Sequence, residues 1–267
     1  MSKSKKIQVA VSGAAGRMGR RLVAIIAEDE ELELSAALEA ESHEKIGTDA
    51  GELAGIGNVG VELSASIERR ADVLIDFSTP QATDYVINSC MKFKIPLVFA
   101  TTGVTLAQDL LLEHATQQIP VLTSPSMSLM VNLAMDLCKT AAKTLSDKDV
   151  DIEIVESHHR YKTDAPSGTA LKFAKVISKE MGQFRQVCGR RGQVGQRRHD
   201  EIGFHSIRIG DDPGKHSILF GLLGETLEIS VKATSRDCYA FGAIAAAKFI
   251  HNKPAGKYKM TDLLFKK

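Results

Sequence analysis

One short segment, Glu156–Thr169, concentrates much of the polar chemistry of this 267-residue chain. It carries the adjacent imidazoles of His158 and His159, two cations, two carboxylates and a Ser-Gly-Thr sequence of the kind that opens a helix. The side chains of His158 and Lys162 can each hold and donate a proton. Residues Ser167–Thr169 offer hydroxyls and backbone N–H groups at a helix start, which favours an anion. The segment therefore predicts a site that protonates and grips a small anionic molecule.

Each of these residues also has an interpretation without chemistry. A lone histidine is most often a surface or hydrogen-bonded residue, a loop lysine is commonly solvated, and Ser167–Thr169 can serve only as a helix cap. An arginine after a strand, such as Arg236, is commonly a surface charge. The density of polar groups in one segment favours the functional interpretation for His158, His159 and Lys162.

In the first half of the chain, strand and helix patterns alternate. Strands are predicted at Ile7–Val11, Leu32–Leu38, Val73–Phe77, Leu97–Ala100 and Val121–Thr123, with a helix at Arg17–Glu28. This alternation is typical of a doubly wound α/β fold with a parallel sheet and right-handed crossovers. We therefore expect a Rossmann-like domain over residues 1–126.

The second half follows a different pattern, with strands that succeed one another through short turns. Helices are predicted at Ser128–Leu145 and Thr169–Met181, and strands at Asp151–Val155, Glu201–Arg208, Ser217–Leu222 and Thr226–Ala233, with the polar segment as a loop after the first strand. Such an order indicates an antiparallel or mixed sheet. We expect an α+β domain over residues 127–240 that binds the substrate.

A glycine-rich loop joins the first strand to the first helix. It consists of Gly13, Ala14, Ala15, Gly16, Arg17 and Met18 and ends at Gly19, and Glu39 stands directly after the second strand. Glycines let bare N–H groups approach a pyrophosphate at a helix N-terminus, and a carboxylate about 20 residues further on can accept hydrogen bonds from a ribose hydroxyl. The alternatives are glycines that only allow close packing and a solvated strand end at Glu39. Strand, loop, helix and acid together favour a dinucleotide site.

Two further loops follow strands of the same sheet, where this fold places its ligands. They are Asp76–Pro80 and Ala100–Gly103, and a nicotinamide and its ribose could lie across them. We expect cofactor contacts from Ala100, Thr101 and Thr102 and, after the strand Val121–Thr123, from Ser124, Pro125, Ser126 and Met127. Position supports these residues more than identity does, because Ser, Thr and Pro are ordinary turn residues.

Composition and charge argue against several other classes. The net charge is +1, so neither nucleic acid nor a membrane is expected as a partner, and no apolar run reaches the ~18 residues of a membrane span. The cationic start, 1–6, leads into a strand and then glycines, which differs from a secretory signal. The four cysteines show no paired spacing, which indicates reduced thiols in a cytoplasmic protein, and we expect no metal site. The basic runs 189–191 and 197–199 lack interleaved aromatic residues, so we interpret them as a solvated loop near the acidic substrate and not as an RNA site.

Several motifs occur in the order seen in one enzyme family. They are Gly13–Gly19, Asp49–Gly55, Thr101–Gly103, Glu156–Thr169, Ile202–Phe204, and Gly224–Glu225 with Ser235–Arg236. Along essentially its whole length, the chain resembles the 4-hydroxy-tetrahydrodipicolinate reductases, also called dihydrodipicolinate reductases. The polar segment carries the most specific part of this resemblance. The resemblance implies a homotetramer built by the second sheet and a return of the chain to the nucleotide domain from about Phe241.

The resemblance also implies roles for individual residues in the reduction of a cyclic dicarboxylate by NADH or NADPH, a step of the diaminopimelate route to lysine. His158 would be the general acid, and Lys162 would be the second catalytic residue. The substrate carboxylates would be held by His159, Lys162, Gly168, Thr169 and Arg236. The chain departs from the family pattern at Ala100, Ser126, Met130 and Val231, which affects the expected cofactor geometry more than the reaction.

The residues after the second strand indicate which nucleotide is preferred. Glu39 is followed by Ala40, so the 2'-phosphate of NADPH would meet a carboxylate without a compensating cation, which favours NADH. Arg17 could still supply a cation for NADPH. A semialdehyde dehydrogenase would need a cysteine nucleophile in the polar segment, and none of the four cysteines lies there. A nucleotide sensor without catalysis stays open at this point.

Overall fold

The computed structural model describes residues 5–67 and 71–265, so part of the cationic start, 1–4, lies outside the described residues. The chain divides into two compact units, Met1–Leu129 with Asp237–Lys267, and Met130–Arg236. The expected boundaries were 126/127 and 240/241. We describe the first as the nucleotide unit and the second as the mixed-sheet unit.

A seven-stranded, fully parallel sheet forms the centre of the nucleotide unit. Its strands are β1 (Ile7–Ser12), β2 (Leu32–Leu38), β3 (Leu63–Ser64), β4 (Val73–Asp76), β5 (Leu97–Phe99), β6 (Pro120–Thr123) and β12 (Gly256–Tyr258). Their order across the sheet is β12-β6-β5-β4-β1-β2-β3. The predicted doubly wound parallel sheet is confirmed. All carboxyl ends of parallel strands meet at one edge, which is where ligands bind in this fold.

Helices cover both faces of this sheet. They are α1 (Arg17–Glu28), α2 (Ala50–Ala54), α3 (Thr83–Phe93), α4 (Leu106–Ala115), α7 (Asp237–Ile250) and α8 (Met260–Leu264). Val9 and Val11 of β1 belong to the apolar cluster that includes α1 and α7, whereas Ala10 belongs to the cluster that includes α3 and α4. Because successive strand side chains point to opposite faces, β1 is buried on both sides.

Five short elements of the nucleotide unit were not predicted, namely α2, β3, β12, α8 and a 3-10 helix at Pro80–Ala82. Each is five residues or shorter, too short to show a hydrophobic period. α2 depends on Asp49, whose carboxylate accepts hydrogen bonds from the backbone N–H groups of Gly51, Glu52, Val59 and Val61. One buried acid therefore organises the loop between β2 and β3.

The mixed-sheet unit contains a five-stranded sheet and two helices. Its elements are α5 (Leu129–Thr144), whose first residue belongs to the nucleotide unit, β7 (Asp151–His158), α6 (Gly168–Met181), β8 (Arg185–Cys188), β9 (Glu201–Arg208), β10 (Lys215–Leu222) and β11 (Glu225–Lys232). The strand order is β11-β10-β7-β9-β8, antiparallel from β11 to β7 and parallel from β7 to β8. The expected mixed sheet is confirmed. Side chains of α5 and α6 pack on one face of it, around Ile152, Ile154 and Phe204.

The central strand β7 is longer than predicted, and this corrects the expected loop. Glu156 to His158 extend the strand: Glu156 and Ser157 pair with both β9 and β10, and His158 pairs with β9. Ile152, Ile154, Glu156 and His158 alternate with their neighbours and are all buried, so they share the helix-covered face. The sequence pattern did not predict this strand end, because its buried polar residues interrupt the apolar pattern that is typical of a core strand.

The basic loop between β8 and β9 is largely exposed, as expected, but Arg190 and Arg197 in it form ion pairs with the sheet. Arg190 contacts Glu153 through two hydrogen bonds of 3.1 and 2.8 Å and reaches Glu201 at 2.5 Å. Arg197 binds Glu153, Asp151 and two backbone carbonyls of β7 and β9. Glu153 lies on the opposite face of β7 from His158. These cations therefore tie the loop to the sheet, away from the polar segment.

Candidate active site

The glycine-rich loop connects the end of β1 to the start of α1. Gly13 has φ +76°, and a Cβ there would lie 2.5 Å from the carbonyl oxygen of Phe77, so only glycine fits. Gly16 is the N-cap of α1 and provides no side-chain cap. The first-turn N–H groups of α1, which begin with Arg17 and Met18, have no acceptor within the helix. This cradle and the positive end of the helix dipole fit a pyrophosphate.

Glu39 lies beside this loop, as the sequence predicts. Its carboxylate accepts hydrogen bonds from the N–H of Ala15 at 3.1 Å and from its own neighbour Ala40 at 3.1 Å. The N–H groups of Gly13 and Ala14 bond to the carbonyl of Leu38, so the end of β2 holds the loop in place. A negative charge therefore stands next to the loop, at the end of the strand that follows it.

The carboxyl ends of β4 and β5 meet at a buried acid that the sequence analysis did not single out. The carboxylate of Asp76 accepts hydrogen bonds from Ser78 Oγ at 2.6 Å and from Thr101 Oγ1 at 2.7 Å. Burial raises the pKa of Asp76, while hydrogen bonds from Ser78, Thr101 and Ser12 act in the opposite direction. The N–H of Ala100 bonds to the carbonyl of Asp76 at 2.9 Å, and Thr102 is exposed.

The residues after β6 lie at the same edge of the sheet. Ser124 Oγ donates to the carbonyl of Ser126 at 2.6 Å, which closes a tight turn around Pro125. Met127 is buried in the cluster that includes α1 and α7. The fold thus brings the predicted cofactor residues of five loops to one edge, although Met127 faces the core.

In the mixed-sheet unit, His158 is held by a buried ion pair. Its Nδ1 lies 2.5 Å from Glu156 Oε2, and Arg208 binds both oxygens of the same carboxylate at 3.0 and 2.9 Å. Glu156 is fully buried. Burial by itself would raise the pKa of Glu156, but hydrogen bonds from Arg208, Ser206 and His158 bring it down to about 2. An ionised carboxylate only accepts hydrogen bonds, so Nδ1 of His158 carries a proton and Nε2 is left to exchange one.

A glycine packs against the other side of the His158 ring. Gly214 has φ +144°, and a Cβ there would lie 3.1 Å from Nε2 of His158. The turn containing Gly214 is fastened by Asp212, which accepts hydrogen bonds from Gly214 N–H at 3.0 Å and from Ser157 Oγ at 2.7 Å. The turn between β9 and β10 therefore limits the space around the proton-exchanging nitrogen.

A second buried histidine, His216, stands next to His158, and sequence reasoning missed it. The ring centroids are 5.2 Å apart with planes at 77°, and Nε2 of His216 lies 3.1 Å from Ser167 Oγ. Burial, and then the neighbouring His158, lower the pKa of His216 to about 4, so it is neutral at physiological pH. Arg208 and Gly214 were missed too. The contacts of all three depend on strand register, which a single sequence does not reveal.

The helix start in the polar segment has the geometry of an anion site. Ser167 is the N-cap of α6, and its hydroxyl accepts a hydrogen bond from Ala170 N–H at 3.2 Å. The N–H groups of Gly168 and Thr169, in the first turn, have no acceptor within the helix and lie at the positive end of its dipole. Lys162 Nζ contacts Asp164 at 2.7 Å, and this hydrogen bond lowers the pKa of Asp164.

His159 and Arg236 complete the predicted set. His159 faces Tyr161, with ring centroids 6.3 Å apart. Arg236 is exposed and follows the end of β11, close in sequence to Ala233, whose N–H bonds to the carbonyl of Gly214 at 2.8 Å. The described residues contain no group of three or more His, Cys, Asp or Glu that could hold a metal ion. None of their helices combines the length and hydropathy that a membrane crossing requires.

A doubly wound nucleotide unit and a second unit with a buried His158–Glu156–Arg208 cluster define the class of the chain as a nicotinamide-dependent oxidoreductase. The family models for the N-terminus and the C-terminus of dihydrodipicolinate reductase match residues 7–127 and 130–264. The chain belongs to the dihydrodipicolinate reductase family.

Named relatives and a solved structure agree with this assignment. The chain is 46% identical to 4-hydroxy-tetrahydrodipicolinate reductase of Rhodopirellula baltica, over 97% of this chain and 96% of the relative. It is 42% identical to the enzyme of that name from Alkalilimnicola ehrlichii, over 96% and 98% of the two chains. Its fold is similar to dipicolinate-bound dihydrodipicolinate reductase from Paenisporosarcina sp. TG-14, with a TM-score of 0.76, 23% identity and 95% and 97% coverage.

Proposed function

We propose that this protein reduces 4-hydroxy-tetrahydrodipicolinate to tetrahydrodipicolinate with NADH or NADPH, in the diaminopimelate route of lysine biosynthesis. The observation that carries the proposal is His158, held by the buried Glu156–Arg208 pair in a member of this family. The names of the relatives and the dipicolinate bound to the similar solved structure support a small cyclic dicarboxylate as substrate.

The substrate first loses its 4-hydroxyl group as water, which gives an α,β-unsaturated cyclic imine, and a bound nicotinamide would supply a hydride to one ring carbon of this imine to leave an enamine. His158 then gives a proton from Nε2 to the neighbouring carbon of the enamine. Glu156 keeps the hydrogen on Nδ1 and stabilises the protonated imidazole before transfer. Arg208 keeps Glu156 ionised, since without this partner the buried carboxylate would take up a proton itself.

The helix start of α6 and nearby cations would hold the substrate carboxylates. Gly168 and Thr169 can donate backbone N–H groups at the positive end of the helix dipole. Lys162 can exchange Asp164 for a substrate carboxylate, because this surface ion pair has little net stability of its own. His159 and Arg236 are proposed to contribute further contacts to the same carboxylates.

Replacing His158 tests the proposal. In His158→Ala, we expect kcat to fall by about a hundredfold or more, because general acid catalysis is lost, while the Kd for NADH is unchanged. His199→Ala is a matched control, since His199 is 83% exposed, pairs only with Asp149 among the described residues, and should keep full activity. If the unmodified protein bound the nucleotide but did not reduce the substrate, the proposed enzymatic function would be rejected in favour of a nucleotide sensor.

We further propose a preference for NADH. The carboxylate of Glu39 beside Ala15 would repel a 2'-phosphate, and Ala40 supplies no cation. We expect a higher kcat/KM with NADH than with NADPH. Glu39→Gln should lower the ratio of the NADH value to the NADPH value by about tenfold, which corresponds to about 1.4 kcal/mol. A higher kcat/KM with NADPH in the unmodified protein would contradict the preference and turn attention to the exposed Arg17.

We propose that the protein is a cytoplasmic homotetramer. Half-buried Val155 and Leu219 lie on the sheet face opposite the one that α5 and α6 cover, and a second copy could bury that face. The four cysteines are free, which suits a reducing compartment. Light scattering should give four chain masses, and Leu219→Glu should lower the mass, whereas Leu110→Glu on exposed α4 should not. A monomer in the unmodified protein would reject the tetramer.

A further inference from the structure

The nucleotide unit contains a buried acid that neither the glycine-rich loop nor the proton-donor system uses. Asp76, the last residue of β4, has 0% exposure. Burying a carboxylate is costly unless hydrogen bonds or a positive charge compensate it. No basic side chain contacts Asp76 among the described residues, so its compensation comes from hydroxyl and backbone donors.

These donors come from three neighbouring strand ends. Ser12 is the last residue of β1, Ser78 follows β4, and Thr101 follows β5. Ser78 and Thr101 donate to different oxygens of the carboxylate, at 2.6 and 2.7 Å, and Ser12 also hydrogen-bonds to it. The backbone adds two links, from Phe77 N–H to the Ser12 carbonyl at 3.1 Å and from Ala100 N–H to the Asp76 carbonyl at 2.9 Å. Asp76 is therefore the common acceptor of the hydroxyls at this part of the edge.

The strand order indicates which half of a dinucleotide would lie at the ends of β4 and β5. In doubly wound sheets of this order, the ligand crosses the edge at the first strand, with one mononucleotide half on each side. Glu39 follows β2 on one side of β1 and is suited to the adenosine ribose. β4 and β5 lie on the other side of β1, so the nicotinamide half would lie over the loops that contain Ser78 and Thr101.

We propose that Asp76 is a positioning residue for the nicotinamide half of the nucleotide site, where it orients the Ser12, Ser78 and Thr101 hydroxyls. The inference rests on the proposed nucleotide-binding function. It adds a residue that holds the hydroxyls of three strand ends in place for the ligand.

Asp76→Asn tests this role, because it keeps the size of the side chain and replaces one acceptor oxygen by an NH₂ donor. One of the hydroxyls then loses its acceptor, so we expect the Kd values for NADH and NAD⁺ both to rise by about threefold to tenfold, measured by titration calorimetry on the full-length protein. Asp72→Asn is the matched control: Asp72 lies just before the other end of β4 and accepts a hydrogen bond from Gln8 N–H at 2.9 Å. This control should leave both Kd values unchanged. Unchanged Kd values in Asp76→Asn would overturn the positioning role.

Thr101→Val tests the orienting role and serves if Asp76→Asn does not fold. It removes one donor and leaves the carboxylate, so we expect both Kd values to rise by about threefold to tenfold, with their ratio largely kept. Unchanged Kd values in Thr101→Val would reject the positioning of this hydroxyl. If the unmodified protein bound neither NADH nor NADPH, the proposed function itself would fail, which separates that outcome from a failure of the role of Asp76.

Discussion

At the scale of single residues, the cluster of His158, Glu156 and Arg208, in which His158 is the proposed proton donor, depends on buried charges that compensate one another. Glu156 is fully buried and keeps its charge because Arg208 binds both of its oxygens. His158 takes its orientation from the same carboxylate. Removing one partner of such a group leaves the others uncompensated, so each single replacement should affect chemistry as well as stability.

Replacing Glu156 should slow the reaction. In Glu156→Gln the imidazole of His158 loses the carboxylate that holds it, so kcat should fall by about tenfold to a hundredfold in steady-state assays. Glu153→Gln, on the opposite face of β7, is the control and should keep the wild-type kcat. An unchanged kcat in Glu156→Gln would argue that His158 does not depend on this carboxylate.

Gly214 should tolerate no side chain, for two separate reasons. In Gly214→Ala the backbone is strained at φ +144°, and the new methyl group lies 3.1 Å from Nε2 of His158. We expect unfolding free energy to fall by about 1–3 kcal/mol and kcat to fall by about tenfold. Gly224→Ala separates these effects, because Gly224 also has a positive φ of 90° but no neighbour within 4 Å, so it should lose stability and keep kcat. Equal kcat in the two variants would show that the methyl group leaves His158 in place.

At the scale of elements, β7 carries different chemistry on its two faces. Its helix-covered face changes from Ile152 and Ile154 to Glu156 and His158, while Glu153 on the other face collects two arginines. Hydrogen bonds from Arg190, His205 and Arg197 lower the pKa of Glu153 to about 2 against the opposing effect of burial. The strand thus separates the cluster of His158, Glu156 and Arg208 from the ionic network that holds the loop between β8 and β9.

Arg197 should be the main tie of that loop. Its guanidinium donates to Glu153, Asp151 and the backbone of both β7 and β9, and its side chain is only 18% exposed. Arg197→Met should lower the unfolding free energy by about 2–4 kcal/mol in urea titrations, because buried acceptors lose their donor. Arg198→Met removes a neighbouring cation that pairs with Asp200 and is 61% exposed, so it should cost about 0–1 kcal/mol. Similar losses in both variants would mean that the network does not fasten the loop.

At the scale of the whole molecule, stability should decline at mildly acidic pH. His216 has an ordinary pKa of 6.5 when unfolded and about 4 when folded, because burial and then His158 disfavour its charge. Between these values the unfolded chain binds the extra proton, so stability is complete above about pH 6.5 and is lost as the pH falls toward 4. The loss should approach about 3 kcal/mol, measured as unfolding free energy in urea at several pH values. His216→Gln should flatten the slope in this window, and an equally steep slope in that variant would assign the effect to other groups.

Local patterns predicted much of the molecule. The predicted bounds of α1, β2 and β9 agree with the structure, because the pattern of apolar residues within each element is set by its own helical or strand period. The glycine-rich loop, Glu39 and the polar segment could be found in the same way, since each is a contiguous or regularly spaced motif. Their proposed roles in catalysis and binding still await the experiments described above.

Other features arose from pairing between distant parts of the chain. Arg208 reaches Glu156 across 52 positions, and Thr101 reaches Asp76 across 25, because parallel strands bring them side by side in the sheet. No local period encodes which strand lies next to which, or in what register, so His216 and Gly214 carried no recognisable signal, and the loop that begins at Asp76 was predicted without its buried contacts. The ion pairs of the basic loop were not predicted for the same reason: its sequence contains the cations, but the carboxylates that pair with Arg190 and Arg197 belong to β7 and β9. Residue type and spacing along the chain thus determined the elements and the motifs, whereas the folded sheets determined which charges became buried partners.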